Sequence, residues 1–258
     1  MMTERKVSPL PYFVLVTLLA LPCWFAGSAR LLPPQIPIAL PVAALGAFVP
    51  MAAALILAAR GGWAEVKRLF AEALDPRRIT SWRWVAVALV LMPIVMVLDY
   101  VALRLVGAPL PEPKIAWGVI PGFFVMFLVG AIGEEMGWQA WAFPRLAQGR
   151  SAFAAAVLLG LFWAAWHVGP FLQTGRAPTW IALQCLTTVL ARVIISWLYC
   201  NNRGSVLIGV LFHAMINVSE FLFPNFGSHY DPAPTALFMA LAVVAIAAFW
   251  GPSLKGRT

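Results

Sequence analysis

The chain has 258 residues, of which 62% are apolar and 11% charged, with a net charge of +8 and a mean hydropathy of +0.86. A soluble domain of this length is nearer half apolar and a quarter charged, so a water-soluble globule, a disordered chain and a fibrous repeat are excluded. What remains is a polytopic integral membrane protein, in which the surplus of Lys and Arg marks one side of a bilayer rather than a nucleic-acid surface.

A spanning helix needs about 20 mostly apolar residues. In chain order the eight candidates are residues 10–29, 36–59, 84–106, 115–143, 151–171, 179–200, 204–223 and 234–250. They imply an all-α fold, a single membrane domain over residues 1–258. The first segment ends on Ala26-Gly27-Ser28-Ala29, as a cleavable leader can, but its apolar run exceeds the usual leader core and it reads as a retained helix. Pro37, Pro41 and Pro50 imply a bent or late-starting second helix. Between the second and third spans, Trp63, Val66, Phe70 and Leu74 follow helical spacing, with Glu65, Lys67, Arg68 and Glu72 on other faces. Residues 63–74 therefore read as an amphipathic helix on the cytoplasmic surface. With the N-terminus cytoplasmic, 13 of the 18 basic residues fall on that side, 4 on the other, and Arg192 lies within a span. This bias puts both termini in the cytoplasm. Cys23, Cys185 and Cys200 form no metal or disulfide pattern and read as packed or lipid-facing thiols.

An ionisable residue at the centre of a spanning helix costs about 3 kcal/mol on insertion scales. Asp99, Glu134, Glu135, His167, Arg192, His213 and Glu220 all fall in spans, with Asn217 beside them. His213 and Asn217 are i and i+4 on one helix face, and Glu220 continues the stripe at i+7. The fourth and fifth spans form a hairpin at Gln148-Gly149-Arg150. At 1.5 Å per residue, Glu134 stands roughly 20 Å above that turn and His167 roughly 25–28 Å, while His213 and Asn217 reach roughly 14 and 20 Å on the same scale. Two carboxylates, two imidazoles and an amide thus converge at one buried level.

A buried Glu beside a His can hold a water and take its proton, and a buried, paired carboxylate suits a general base near neutral pH. A second His and an Asn offer N–H donors to a developing oxyanion. The set is an outline for peptide hydrolysis. Glu134, His167 and His213 are equally a legitimate zinc ligand set with a position left for water, so the cofactor is either none or a divalent metal such as zinc. Asp99 is placed to pair with Arg104 near a helix end, Glu220 to reach the outer interface, and His229, beside Asp231, to be solvated surface.

At these residues a family resemblance emerges. Gly133-Glu134-Glu135-Met136-Gly137-Trp138-Gln139, with Phe143-Pro144-Arg145-Leu146 after it, resembles the first motif of the CPBP intramembrane proteases, the group that includes the CAAX prenyl endopeptidases. Trp163-Ala164-Ala165-Trp166-His167 resembles the second motif and Phe212-His213-Ala214-Met215-Ile216-Asn217 the third. The resemblance implies an eight-helix membrane endopeptidase with residues 115–223 as its catalytic core. Glu134 and His167 would activate water, His213 and Asn217 would form the oxyanion site, and Glu135 would support them. Members have been described both as metalloproteases and as glutamate proteases. The implied partners are a membrane-associated peptide or protein substrate, lipidated or not, and the bilayer itself, with no nucleic acid. The implied location is a bacterial cytoplasmic membrane. Two departures stand out. Gln139 replaces the usual Arg, removing a charge that Arg192 is placed to resupply. Trp163 replaces the usual Phe, which keeps an aromatic wall and changes little. The alternatives are an inactive member acting as an immunity or scaffold protein, and a proton-coupled transporter.

Overall fold

A computed structural model describes residues 8–27, 42–228 and 230–256. Among these residues every regular element is helical. Helix α1 (Leu10–Ala26) leads by way of the 3₁₀ segment Val42–Phe48 into α2 (Val49–Ala59) and the short α3 (Trp63–Ala73). Then come α4 (Trp82–Leu105), α5 (Ile120–Glu135), a π-helical stretch (Met136–Ala142) and α6 (Phe143–Leu146), followed by α7 (Ala152–Gln173), α8 (Pro178–Asn201), α9 (Val206–Leu222) and α10 (Pro232–Trp250). Among the described residues, five helical segments are long and apolar enough to cross a membrane, beginning at Trp82, Trp117, Ala152, Pro178 and Pro232. Three shorter apolar segments, Leu10–Ala26, Ala43–Ala59 and Val206–Leu222, join them.

The polar and proline breaks in the sequence become helix starts. Ser81, Ser151, Ser205 and Asp231 each accept a backbone N–H of the following helix, satisfying a donor that has no partner within the helix. Pro50, Pro178 and Pro232 sit in first turns, where the missing N–H costs nothing. Pro50 therefore fits the late start expected of the second span; Pro37 and Pro41 lie outside the described residues, as does His229. Helix α3 forms where amphipathicity placed it, but the face it packs inward carries Val66, Leu69 and Ala73. Trp63, Phe70 and Leu74, three of the four residues of the expected apolar stripe, stay exposed.

Helix α8 is the axis of the bundle. Of its most apolar stretch 72% is buried, against 17–39% for the other four long segments, and it packs on α7, α9 and α10. Helix α9 fills the space between α4, α5 and α8.

The fourth span does not run as one regular helix through residue 143. It opens into π geometry at Met136, directly after Glu134 and Glu135. Such bulges shift side-chain facing by one residue and gather at functional sites. Gly137 permits the packing here: a Cβ at this position would collide with the Pro50 carbonyl oxygen and the Tyr12 hydroxyl. Tyr12 also meets Trp138 edge-on, with ring centroids 5.7 Å apart. Gly137→Ala is therefore expected to lower stability by about 3 kcal/mol, the upper end for overpacking. Thermal unfolding in detergent should show a reduced midpoint; an unchanged midpoint would mean that α1 and α2 can yield at no cost.

Candidate active site

Each motif lands on a helix face that α8 helps to enclose. Helix α5 delivers Glu134 and Glu135 in its last turn. Helix α7 supplies Trp163 and His167 one turn apart, and α9 supplies His213 and Asn217 at the same spacing. Glu134, Trp163, His167, His213, Asn217 and Glu220 line one polar cavity of about 180 Å³, closed by Thr187, Thr188 and Ala191 of α8.

Glu134 is buried, and its Oε2 accepts two indole N–H groups, Trp163 Nε1 at 2.7 Å and Trp138 Nε1 at 3.3 Å. The Trp163 bond corrects the expectation that Trp for Phe changes little, because a phenyl ring has no N–H to give. Trp163 also carries the Arg192 guanidinium over its ring at 4.2 Å. His167 Nδ1 lies 2.8 Å from the Trp163 carbonyl oxygen. A carbonyl only accepts, so Nδ1 carries the proton and Nε2 is the nitrogen left for a ligand in the cavity.

Glu135 is fully buried and does not line the cavity. Arg192 donates to both of its oxygens, Nη1 to Oε2 at 2.5 Å and Nη2 to Oε1 at 3.0 Å. His213 Nδ1 donates to the same Oε1 at 2.8 Å. Arg192 Nη1 also lies 3.4 Å from Gln139 Oε1, and Ser196 Oγ reaches that oxygen at 3.4 Å. The guanidinium from α8 thus stands between Glu135 and Gln139. Fully buried charges need such partners, since desolvation would otherwise force neutralisation.

Among the described residues, no three His, Cys, Asp and Glu side chains are grouped to hold one metal ion. Within the same residues, the bonds just given leave Glu134 Oε1, His167 Nε2 and His213 Nε2 without protein partners.

Asp99 differs from expectation. It bonds the Thr235 hydroxyl of α10, and Arg104 pairs with Glu112 at 3.5 Å instead. Five residues of helix turn the two side chains roughly 140° apart, so Asp99 and Arg104 leave opposite faces. Glu220 borders an opening at the α7–α8 and α9–α10 loops. It also faces the cavity and accepts from the Tyr230 hydroxyl at 3.3 Å. Its i+7 spacing from His213 was visible in the sequence, whereas Tyr230, contributed by the α9–α10 loop, had no such signal. The three cysteines are free and half-buried.

Two further openings adjoin the site. A groove of about 490 Å³ runs between the 3₁₀ segment and α5, with Leu45, Phe48, Val125 and Met126 among its apolar walls. Glu134 and Asn217 are its polar members. Close approach there depends on Gly133, where a Cβ would lie 2.6 Å from the Ala47 carbonyl oxygen. At the α7–α8 and α9–α10 loops a more polar opening of about 360 Å³ is lined by Arg176, Trp180, Gln184, Asn217, Glu220 and Tyr230, among others. Asn217 borders all three spaces.

Residues 116–219, which hold all three motifs, match the family described as type II CAAX prenyl endopeptidase Rce1-like. The chain is also 26% identical to a CAAX prenyl protease 2 of Methanococcus maripaludis, in an alignment covering 86% of this chain and 87% of that protein. With its long apolar helices, and with the family match lying over the helices that build the cavity, the protein is an integral membrane protein that is similar over residues 116–219 to the Rce1-like CAAX prenyl endopeptidases.

Proposed function

We propose that the protein is an intramembrane endopeptidase that hydrolyses a peptide bond of a lipidated, CAAX-type membrane substrate. The observation that carries this reading is the position of Glu134, the one acid shared by the polar cavity and the apolar groove. A lipid chain lying in the groove brings its attached peptide to a carboxylate that can reach water.

In this mechanism a water sits between Glu134 and His167 Nε2. Glu134 takes its proton as the oxygen attacks the scissile carbonyl. The Asn217 amide donates to the oxyanion, as does His213 in its imidazolium form, which keeps Nδ1–H on Glu135 and turns Nε2–H to the cavity. Glu135 and Arg192 act one layer out, holding the His213 ring through Nδ1. The proton held by Glu134 then goes to the departing amine. Because Arg192 restores a cation beside Gln139, the missing Arg of the first motif does not by itself favour the inactive-member reading. Eight membrane-crossing helices with both termini on the basic, cytoplasmic side complete the proposal. That orientation puts the α7–α8 and α9–α10 loops on the opposite face, and substrate approaches laterally through the groove.

The test compares membrane-protein termini in cells carrying wild type and Glu134→Gln. New termini present only with wild type are expected, and they would identify substrates directly. Identical termini in both would refute the proposal. Trp163→Phe tests the inner geometry. It keeps the ring and loses the N–H bond to Glu134, for an expected drop of about 10-fold or more in kcat with little change in KM, the effect of one hydrogen bond to a charged group. An unchanged kcat would show that Trp138 alone positions Glu134.

A further inference from the structure

The polar opening at the loop end has a feature the hydrolytic machinery does not use. Arg176 lies on its rim, with its guanidinium 4.5 Å from the centroid of the Trp180 ring. It is the one cation among the described residues that line the opening, and it makes no ion pair with any of them. A cation with no ion-pair partner among the described residues, held at the mouth of the site, suits an anionic oxygen ligand.

We propose that Arg176, held over the Trp180 ring, binds the free C-terminal carboxylate of the substrate. The inference rests on the endopeptidase reading and adds its peptide specificity. Reach sets the length. His167 stands six residues before the end of α7, roughly 9 Å at the helical rise, and Arg176 follows just beyond. Three extended residues span at most about 10 Å, the stretch from the lipid-bearing cysteine of a C-a-a-X tail to its terminal carboxylate. With the lipid in the apolar groove and the scissile bond at Glu134, the last three residues run along Asn217 toward the rim. Glu220 lines the same opening, so an incoming carboxylate meets a like charge there. A cation at the rim is what makes that approach favourable.

The test uses purified protein in liposomes and two synthetic farnesyl-cysteine peptides, identical except that one ends in a carboxylate and the other in an amide. Wild type is expected to cleave the acid with kcat/KM roughly tenfold higher, mostly through KM, as one charge-assisted contact implies. Arg176→Gln should bring the acid-to-amide ratio close to one, and Arg176→Lys should retain part of the preference. If Arg176→Gln keeps the full ratio, or lowers both peptides equally as a lipid-phosphate contact would, the assignment is wrong. If wild type cleaves neither peptide above the Glu134→Gln background, the endopeptidase reading fails and this inference with it.

Discussion

Glu134→Gln is expected to reduce cleavage by roughly 10²–10⁴-fold, the range for removing a general base, while the protein still inserts and folds. The amide is isosteric and can still accept the indole N–H groups of Trp163 and Trp138 through its oxygen. What it cannot do is take a proton from water. The loss should therefore appear in kcat, with substrate binding little altered and the thermal unfolding midpoint within a few degrees of wild type. A purified Glu134→Gln protein that cleaves as fast as wild type would end the mechanism. His167→Gln serves as a companion: it removes the second group proposed to hold the water and leaves Glu134 with both indole donors.

Arg192→Leu has the largest expected effect on folding. The guanidinium and the Glu135 carboxylate are both completely buried and joined by two hydrogen bonds. Removing one partner of such a pair leaves an uncompensated buried charge, at about 3–5 kcal/mol. Here the consequence also reaches the site, because Glu135 holds the His213 ring. Low yield, a depressed unfolding midpoint and loss of cleavage are expected together. The double variant Gln139→Arg/Arg192→Leu tests whether the charge matters more than its source. Gln139 Oε1 already lies 3.4 Å from Arg192 Nη1, so an arginine at 139 can approach Glu135 from the other side. Partial recovery of both yield and cleavage is expected. Undiminished activity and normal expression of the single Arg192→Leu variant would remove Arg192 from the account.

The elements were legible in the sequence because apolar length and proline position are local properties. Pro178 and Pro232 open α8 and α10 close to the span starts expected at 179 and 234. Within one helix the site was legible too. The i, i+4, i+7 stripe of His213, Asn217 and Glu220 follows from helical periodicity alone, and the three do face one cavity. The π-helical stretch after Glu135 was not legible. It holds Gly137, where α2 and Tyr12 come close, and that contact joins segments far apart in the chain. The misplacement of Asp99 has the same origin: its partner Thr235 is 136 residues away.

By itself, then, the sequence determined a helical membrane protein with its costly polar residues gathered at one depth, because hydropathy and helical rise set position along each helix. Only the tertiary structure decided that Arg192 would take Glu135, that Trp163 would bond Glu134, and that Glu134 would stand where polar cavity meets apolar groove. Those outcomes depend on the rotation of each helix about its axis and on which helices are neighbours. Packing sets both, and no periodicity within a single helix records them.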